Sequence, residues 1–293
     1  HYDSHSINFN LLNAKGVQYI KNRKSYSLAT APYAQIIVAS SNSISIKTIT
    51  SLSNTYFGIA IYYSDFVTID FCSITYSSYA GIVIRNSNEV QVKSTSLAHN
   101  RGTIGGIMIR NSSNSQLTEN SFYNNTNGVY MENNQAILCW KSDFSTNVGT
   151  AIQIRNSIGS TITNNTFKNN QIKTIVSVNC QNDYYTRNIF ENFYQAAIEL
   201  QSGYGCVVQY NEFNLGYYTT AIKLISTDYS QITDNEISSF TNGNGIEADQ
   251  ASNLNYIRWN TILSSSSTPL SYGILILGPN NNIMENTIQL ASF

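Results

Sequence analysis

Few residues in this chain are placed to do chemistry. Glu247 and Asp249 stand two apart in GIEADQ, and on one face of an extended strand their carboxyls would lie roughly 7 Å apart. That separation suits an acid/base pair. Arginines recur in matching contexts at Arg85, Arg110 and Arg155, with Glu132 among them, and further charges follow at Glu199 and Lys223. Arg155, Glu199, Lys223, Glu247 and Asp249 could therefore line a groove where guanidinium groups hold sugar carboxylates and the two acids move a proton. The same row also reads as an alternating salt ladder in which Glu199, Lys223 and Glu247 keep stacked like charges apart. The ladder is the preferred reading, and no catalytic residue is assigned beyond the candidate pair Glu247 and Asp249.

Other catalytic arrangements are absent from the sequence. It has no G-x-S-x-G, no H-E-x-x-H, no phosphate loop and no EF-hand loop. The three histidines, His1, His5 and His99, fall away from the charged row, and Cys72, Cys139, Cys180 and Cys206 form no CxxC pair. No metal and no cofactor is expected. Cys72 and Cys139 fall on core positions and read as buried thiols, while Cys180 and Cys206, in neighbouring repeats, could bridge.

Whatever positions these residues is repetitive. Elements such as GIAIYY, GIVIRN, GIMIRN, AIQIRN, AIELQS and GILILG open at Gly58, Gly81, Gly106, Gly128, Ala151, Ile175, Ala197, Ala221, Gly245 and Gly273, a period of about 23 residues. Each small residue is followed by alternating aliphatics, the period-two signature of a strand with one buried face. A second core aliphatic follows, as at Ile69, Val92, Leu117, Ile162, Val208, Ile232, Ile257 and Ile283, and then a third, as at Ile74, Leu97, Phe122, Phe144, Phe167, Phe190 and Phe213. Between the last two recurs Asn120, Asn165, Asn188, Asn211, Asn235, Asn260 and Asn286, suited to an amide ladder that satisfies a tight bend. Strands this short cannot bury a face alone, but stacked in parallel they share one column of Ile, Val, Leu and Phe.

The expected fold is an all-β, single-stranded right-handed parallel β-helix of about 10–12 coils, spanning 35–293 after an N-terminal segment, 1–34, that could form an irregular first coil. The repeats resemble those of right-handed parallel β-helix proteins, in particular the NosD-like and carbohydrate-binding group, whose coils read N-x-x-G-I-x-I-x-x-S-x-x-N-x-I-x-x-N. The resemblance covers roughly residues 35 to 290 and implies fold rather than activity. The chain lacks the Arg-x-Pro-x-x-Arg element of pectate lyases, the motifs of polygalacturonases and the Asp-Pro-His of alginate epimerases.

Composition narrows the setting. Lys and Arg number 16 against 17 Asp and Glu, and charged residues are 11% of the chain, with 21 Tyr and many Ser, Thr and Asn supplying polarity. Such a balance argues against nucleic acid as a partner and suits an extracellular or cell-surface protein. No apolar run reaches membrane-span length. The opening HYDSHSINFN has no Met and no signal-type segment, so a mature or excised chain is expected. Sequons at Asn111, Asn124 and Asn164 are glycosylation candidates. Tyrosines cluster at Tyr62 and Tyr63, Tyr76 and Tyr79, Tyr184 and Tyr185, and Tyr217 and Tyr218, where rings could stack on sugars or anchor protein contacts.

Neither end supplies an obvious cap for an open coil. The expected function is a secreted or cell-surface structural or adhesive protein, a self-assembling subunit of a filament, sheath or surface layer that self-associates through uncapped ends. The alternative is a polysaccharide-active enzyme (lyase, hydrolase or epimerase) or a carbohydrate-binding module with a polysaccharide partner on an outer face.

Overall fold

The computed structural model describes residues 11–12, 14–30, 32–50, 52–214, 219–238, 243–264 and 272–290. His1, His5, Tyr217 and Tyr218, named above, lie outside them. Contacts divide the chain into two units, His1–Asp143 and Phe144–Phe293. Both are all-β parallel solenoids, about 10 turns together with a period of about 23 residues. Each coil contributes one strand to each of three parallel faces.

In the first unit the alternating aliphatics align in register. Ile36, Ile59, Ile82, Ile107 and Val129 stack on the first face, as do Val38, Ile61, Ile84, Ile109 and Met131. Ile46, Ile69, Val92, Leu117 and Cys139 line the second face, and Leu52, Ile74, Leu97 and Phe122 the third. All are essentially inaccessible to water, and each such side chain contributes about 1.5–3 kcal/mol by burial. The opening residues must be small because the next coil's backbone sits against them: a Cβ on Gly106 would lie 2.3 Å from the Gly128 carbonyl oxygen. Coiling begins earlier than residue 35. Lys15–Lys21 pairs in parallel with Tyr33–Ala39, and Lys24–Ala29 with Asn42–Lys47, with a register irregularity at Gly16 and Val17.

In the second unit the third face carries a column of rings. Phe144, Phe167, Phe190 and Phe213 stack at centroid distances of 4.9, 4.9 and 4.7 Å with their planes nearly parallel. Beside them runs the amide ladder. From Asn165 through Asn188, Asn211, Asn235 and Asn260 to Asn286, each Nδ2 donates to the next Oδ1 at 2.9–3.1 Å. Each Nδ2 from Asn188 onward also donates to a carbonyl in the preceding coil, as Asn211 does to Tyr185 at 2.8 Å. Buried carboxamides are thus satisfied by one another and by backbone.

The corners explain why the ladders face inward. A residue in the left-handed region turns the chain, among them Asn86, Asn111, Asn164, Arg187, Tyr210 and Trp259, and the residue after it points into the bend. In the first unit this inward slot holds Ser41, Ser64, Ser87, Ser112 and Asn134, each backbone N–H donating to the next side-chain oxygen at 3.0–3.2 Å. A further amide pair, Asn100 and Asn125, closes another corner, with 3.1 Å between Nδ2 and Oδ1.

Two expectations are corrected. Ile175 is not an opening residue: it pairs with Ile152 and Ile198 as a core aliphatic, so Thr174 takes the small-residue slot. In that coil Val176 and Val178 face outward and Ser177 is buried. Cys180 and Cys206 do not bridge; all four cysteines are free and buried. Cys206 stacks in the slot of Asp183, one coil from it, while Cys180 occupies a different corner. Burial raises the thiol pKa of Cys139 and Cys206 to about 12 and that of Cys180 to about 11, which leaves them unreactive.

Candidate functional site

The predicted charged row lies on the outer side of the first face in the second unit. Glu199, Lys223 and Glu247 occupy successive coils in register. Lys223 Nζ reaches Glu247 Oε1 at 3.2 Å, and Glu199 is paired with Lys173 at 2.7 Å. Glu199 is only 3% exposed, and Gln201 Nε2 also donates to it. Arg155 lies exposed at the end of its strand, in register with Val178 of the following coil. The row is therefore an ion-pair ladder joined by hydrogen bonds.

Glu247 and Asp249 do not share a strand face. The strand Asn244–Ala248 ends before Asp249, which caps a turn by accepting from Ser226 N–H, Ala251 N–H and Ser252 Oγ at 3.0, 3.2 and 2.7 Å. Burial alone would raise the pKa of both acids, but hydrogen bonds outweigh it and hold each below its usual value. For Glu247 the donors are Asn244, Lys223 and Thr220; for Asp249 they are the turn groups just named. Both are carboxylates at neutral pH, and neither is poised as a proton donor.

In the first unit the same outer side is covered. Ala60, Tyr62, Val83 and Met108 point outward yet are buried, packed under Phe57, Tyr79 and Ile104. Arg85 donates to the Tyr79 hydroxyl at 3.2 Å, that hydroxyl donates to Met108 Sδ at 3.3 Å, and Arg110 pairs with Glu132 at 3.0 Å. The arginines thus hold partners within the chain.

The surface that sequence reasoning largely missed is aromatic. On the second face of the second unit and the two corners flanking it, Tyr184, Tyr204, Tyr210, Tyr229, Tyr256 and Trp259 each expose about half their surface. Tyr184 and Tyr256 face out because their successors, Tyr185 and Ile257, fill the core. Tyr210, Tyr229 and Trp259 are themselves corner residues with positive φ. Cations complete the surface: the Arg258 guanidinium lies 3.4 Å from the Trp259 ring centroid and that of Arg187 5.8 Å from Tyr210. Such rings offer flat apolar faces with polar edges.

The three sequon asparagines are all left-handed corner residues. Asn111 belongs to an outer amide chain with Asn86 and Asn133, at 3.2 Å on each side. Asn124 is held by Arg101 and His99. Asn164 is exposed and donates to its neighbour Thr163 at 3.1 Å, so a glycan would disturb least there.

Stacked coils, inward ladders and an outer surface of ion pairs and rings define a parallel β-helix protein. The chain belongs to the NosD family, described as periplasmic copper-binding protein, which matches residues 9–196, and a right-handed β-helix region matches residues 140–288. A comparison with curated protein sequences finds no match. Among solved structures it is similar to the periplasmic alginate epimerase AlgG at 14% identity and a TM-score of 0.62, covering 88% of this chain and 76% of that one. It is also similar to the GH136 lacto-N-biosidase of Eubacterium ramulus, at 10% identity, TM-score 0.66 and coverage of 94% and 61%. The Azotobacter vinelandii mannuronan C-5 epimerase AlgE4 A-module matches at 13% identity, TM-score 0.55 and coverage of 95% and 90%. At these identities the likeness is one of fold.

The described residues do not fit copper. No three His, Cys, Asp or Glu gather among them. Each buried cysteine has its thiol pKa raised by burial, and Met108 Sδ is hydrogen-bonded by Tyr79. His99, the sole described histidine, sits between rings with Nδ1 taken up by Asn124. A copper site needs several such donors converging.

Proposed function

We propose that this protein is a non-catalytic, adhesive β-helix of the cell envelope or cell exterior that binds polysaccharide through the aromatic face of its second unit. One observation carries the reading: six half-exposed rings, Tyr184, Tyr204, Tyr210, Tyr229, Tyr256 and Trp259, share one side of the coil stack, with Arg187 and Arg258 beside two of them. A stack of coils about 4.8 Å apart presents such rings as a fixed row, so a chain of sugars meets platforms that lose little entropy on binding. The polysaccharide-active neighbours with this fold support the choice of ligand class, and the periplasmic NosD and AlgG descriptions support the location. The two candidate acids, held ionised in a ladder and a turn, support binding without turnover.

The test is affinity electrophoresis through gels containing neutral and acidic polysaccharides. The wild type is expected to be retarded by at least one, and Trp259→Ala with Tyr210→Ala to lose about tenfold or more in affinity, the usual cost of an aromatic anchor. A wild type that no polysaccharide retards, or a double variant that migrates with it, would sink the reading.

A further inference from the structure

Apart from that face, the first unit contains a cleft of about 530 Å³ lined by Tyr76, Ser77, Ser78, His99, Arg101 and Asn124, a size usual for a small-molecule site. It lies where the third face turns through its corner. Tyr76, His99 and Asn124 occupy that corner in successive coils, all with positive φ, so their side chains are carried outward on top of one another. The imidazole of His99 is stacked on Tyr76 at 5.3 Å and 9° and meets the edge of Tyr123 at 5.4 Å and 84°. Asn124 orders the polar groups. Its Nδ2 lies 3.0 Å from His99 Nδ1, and its Oδ1 accepts from the Arg101 guanidinium.

Two features make this a binding site rather than a packing detail. Arg101 is exposed, and no carboxylate among the described residues pairs with it, whereas Arg110 has Glu132 and Arg258 has Glu285. The lining holds a guanidinium, an imidazole N–H and two serines but no acidic side chain.

We infer that this cleft binds a small ring-bearing oxyanion, a carboxylate or a sulfate or phosphate ester, with Arg101 opposing the charge and the stacked Tyr76 and His99 rings contacting the ring. A guanidinium clamped by a neighbouring amide is pre-organised for an oxyanion, and an aromatic stack gives the ring a flat partner.

Titration followed by NMR tests this, with glucuronate, glucose 6-sulfate, glucose 6-phosphate and glucose as probes. The expected result is that at least one anionic probe shifts the His99 side-chain signals at millimolar concentration while glucose does not. Arg101→Gln should weaken that binding by at least about tenfold, as loss of a charge-assisted hydrogen bond does, with an unchanged circular dichroism spectrum. Arg101→Lys should restore part of it. The three anions separate carboxylate from sulfate and phosphate recognition. The inference is overturned if none of them moves His99, if glucose binds as well, or if Arg101→Gln binds as the wild type does. Failure of the polysaccharide test on the second unit leaves this result untouched, because the two sites share no residue.

Discussion

Phe190→Ala is expected to lower the stability of the second unit by about 3–5 kcal/mol, the range for deleting a buried phenyl. Phe190 is inaccessible and lies between Phe167 at 4.9 Å and Phe213 at 4.7 Å, so the alanine removes two ring contacts as well as burial. In a solenoid each coil is held mainly by its two neighbours, and a void in one coil weakens both interfaces. Protection of backbone amides against hydrogen exchange should therefore fall first around Phe167 and Phe213. Phe190→Leu should cost much less, because Ile237 fills the same column two coils on without a ring. Denaturant unfolding read by circular dichroism checks both; an alanine loss below about 1 kcal/mol would mean that the coils close over the gap.

The features legible in the sequence were those that repeat under a simple rule. Alternation disclosed the first-face strands because every second side chain enters one column, and the asparagine ladder was visible because the same slot needs the same amide in coil after coil. Ile175 escaped that rule. In TIVSV the outward Val176 and Val178 are more apolar than the inward Ser177, so polarity alone sets the register one residue off. Tyr185 escaped as well: its ring fills the column between Ile162 and Val208, and only counting one period from those neighbours reveals it. The aromatic face was obscured for another reason. Propensity assigns left-handed corners to Gly and Asn, yet here Tyr210, Tyr229 and Trp259 hold them, because the inter-coil hydrogen bonds fix the corner whatever its side chain. The His99 cleft joins residues from three coils, so no local pattern marks it. Glu247 and Asp249 were close in sequence but separated by the strand end, which spacing could not show.

Tyr185 leads to the second large effect. Its hydroxyl donates to Asp183 Oδ2 at 3.2 Å, and Asp183 Oδ1 accepts from Ser160 N–H at 2.7 Å. Asp183 is inaccessible, and the cost of burying its charge, partly offset by those hydrogen bonds, raises its pKa to about 6 from the usual value near 4. A carboxyl that holds its proton more tightly when folded favours folding in acid. That contribution is full below the unfolded value and is lost as pH rises through about 6. Asp183→Asn should therefore leave stability nearly unchanged at pH 3.5 and raise it at pH 8 by on the order of 2–3 kcal/mol. The amide suits the slot: three coils on, at the same corner, Asn255 accepts from Ser230 N–H at 2.9 Å and donates to the Thr227 carbonyl at 2.7 Å. Unfolding midpoints of both proteins across that pH range decide the matter. A gain of equal size at both ends would show that Asp183 carries the same charge throughout, and that the wild type's response to pH is set elsewhere.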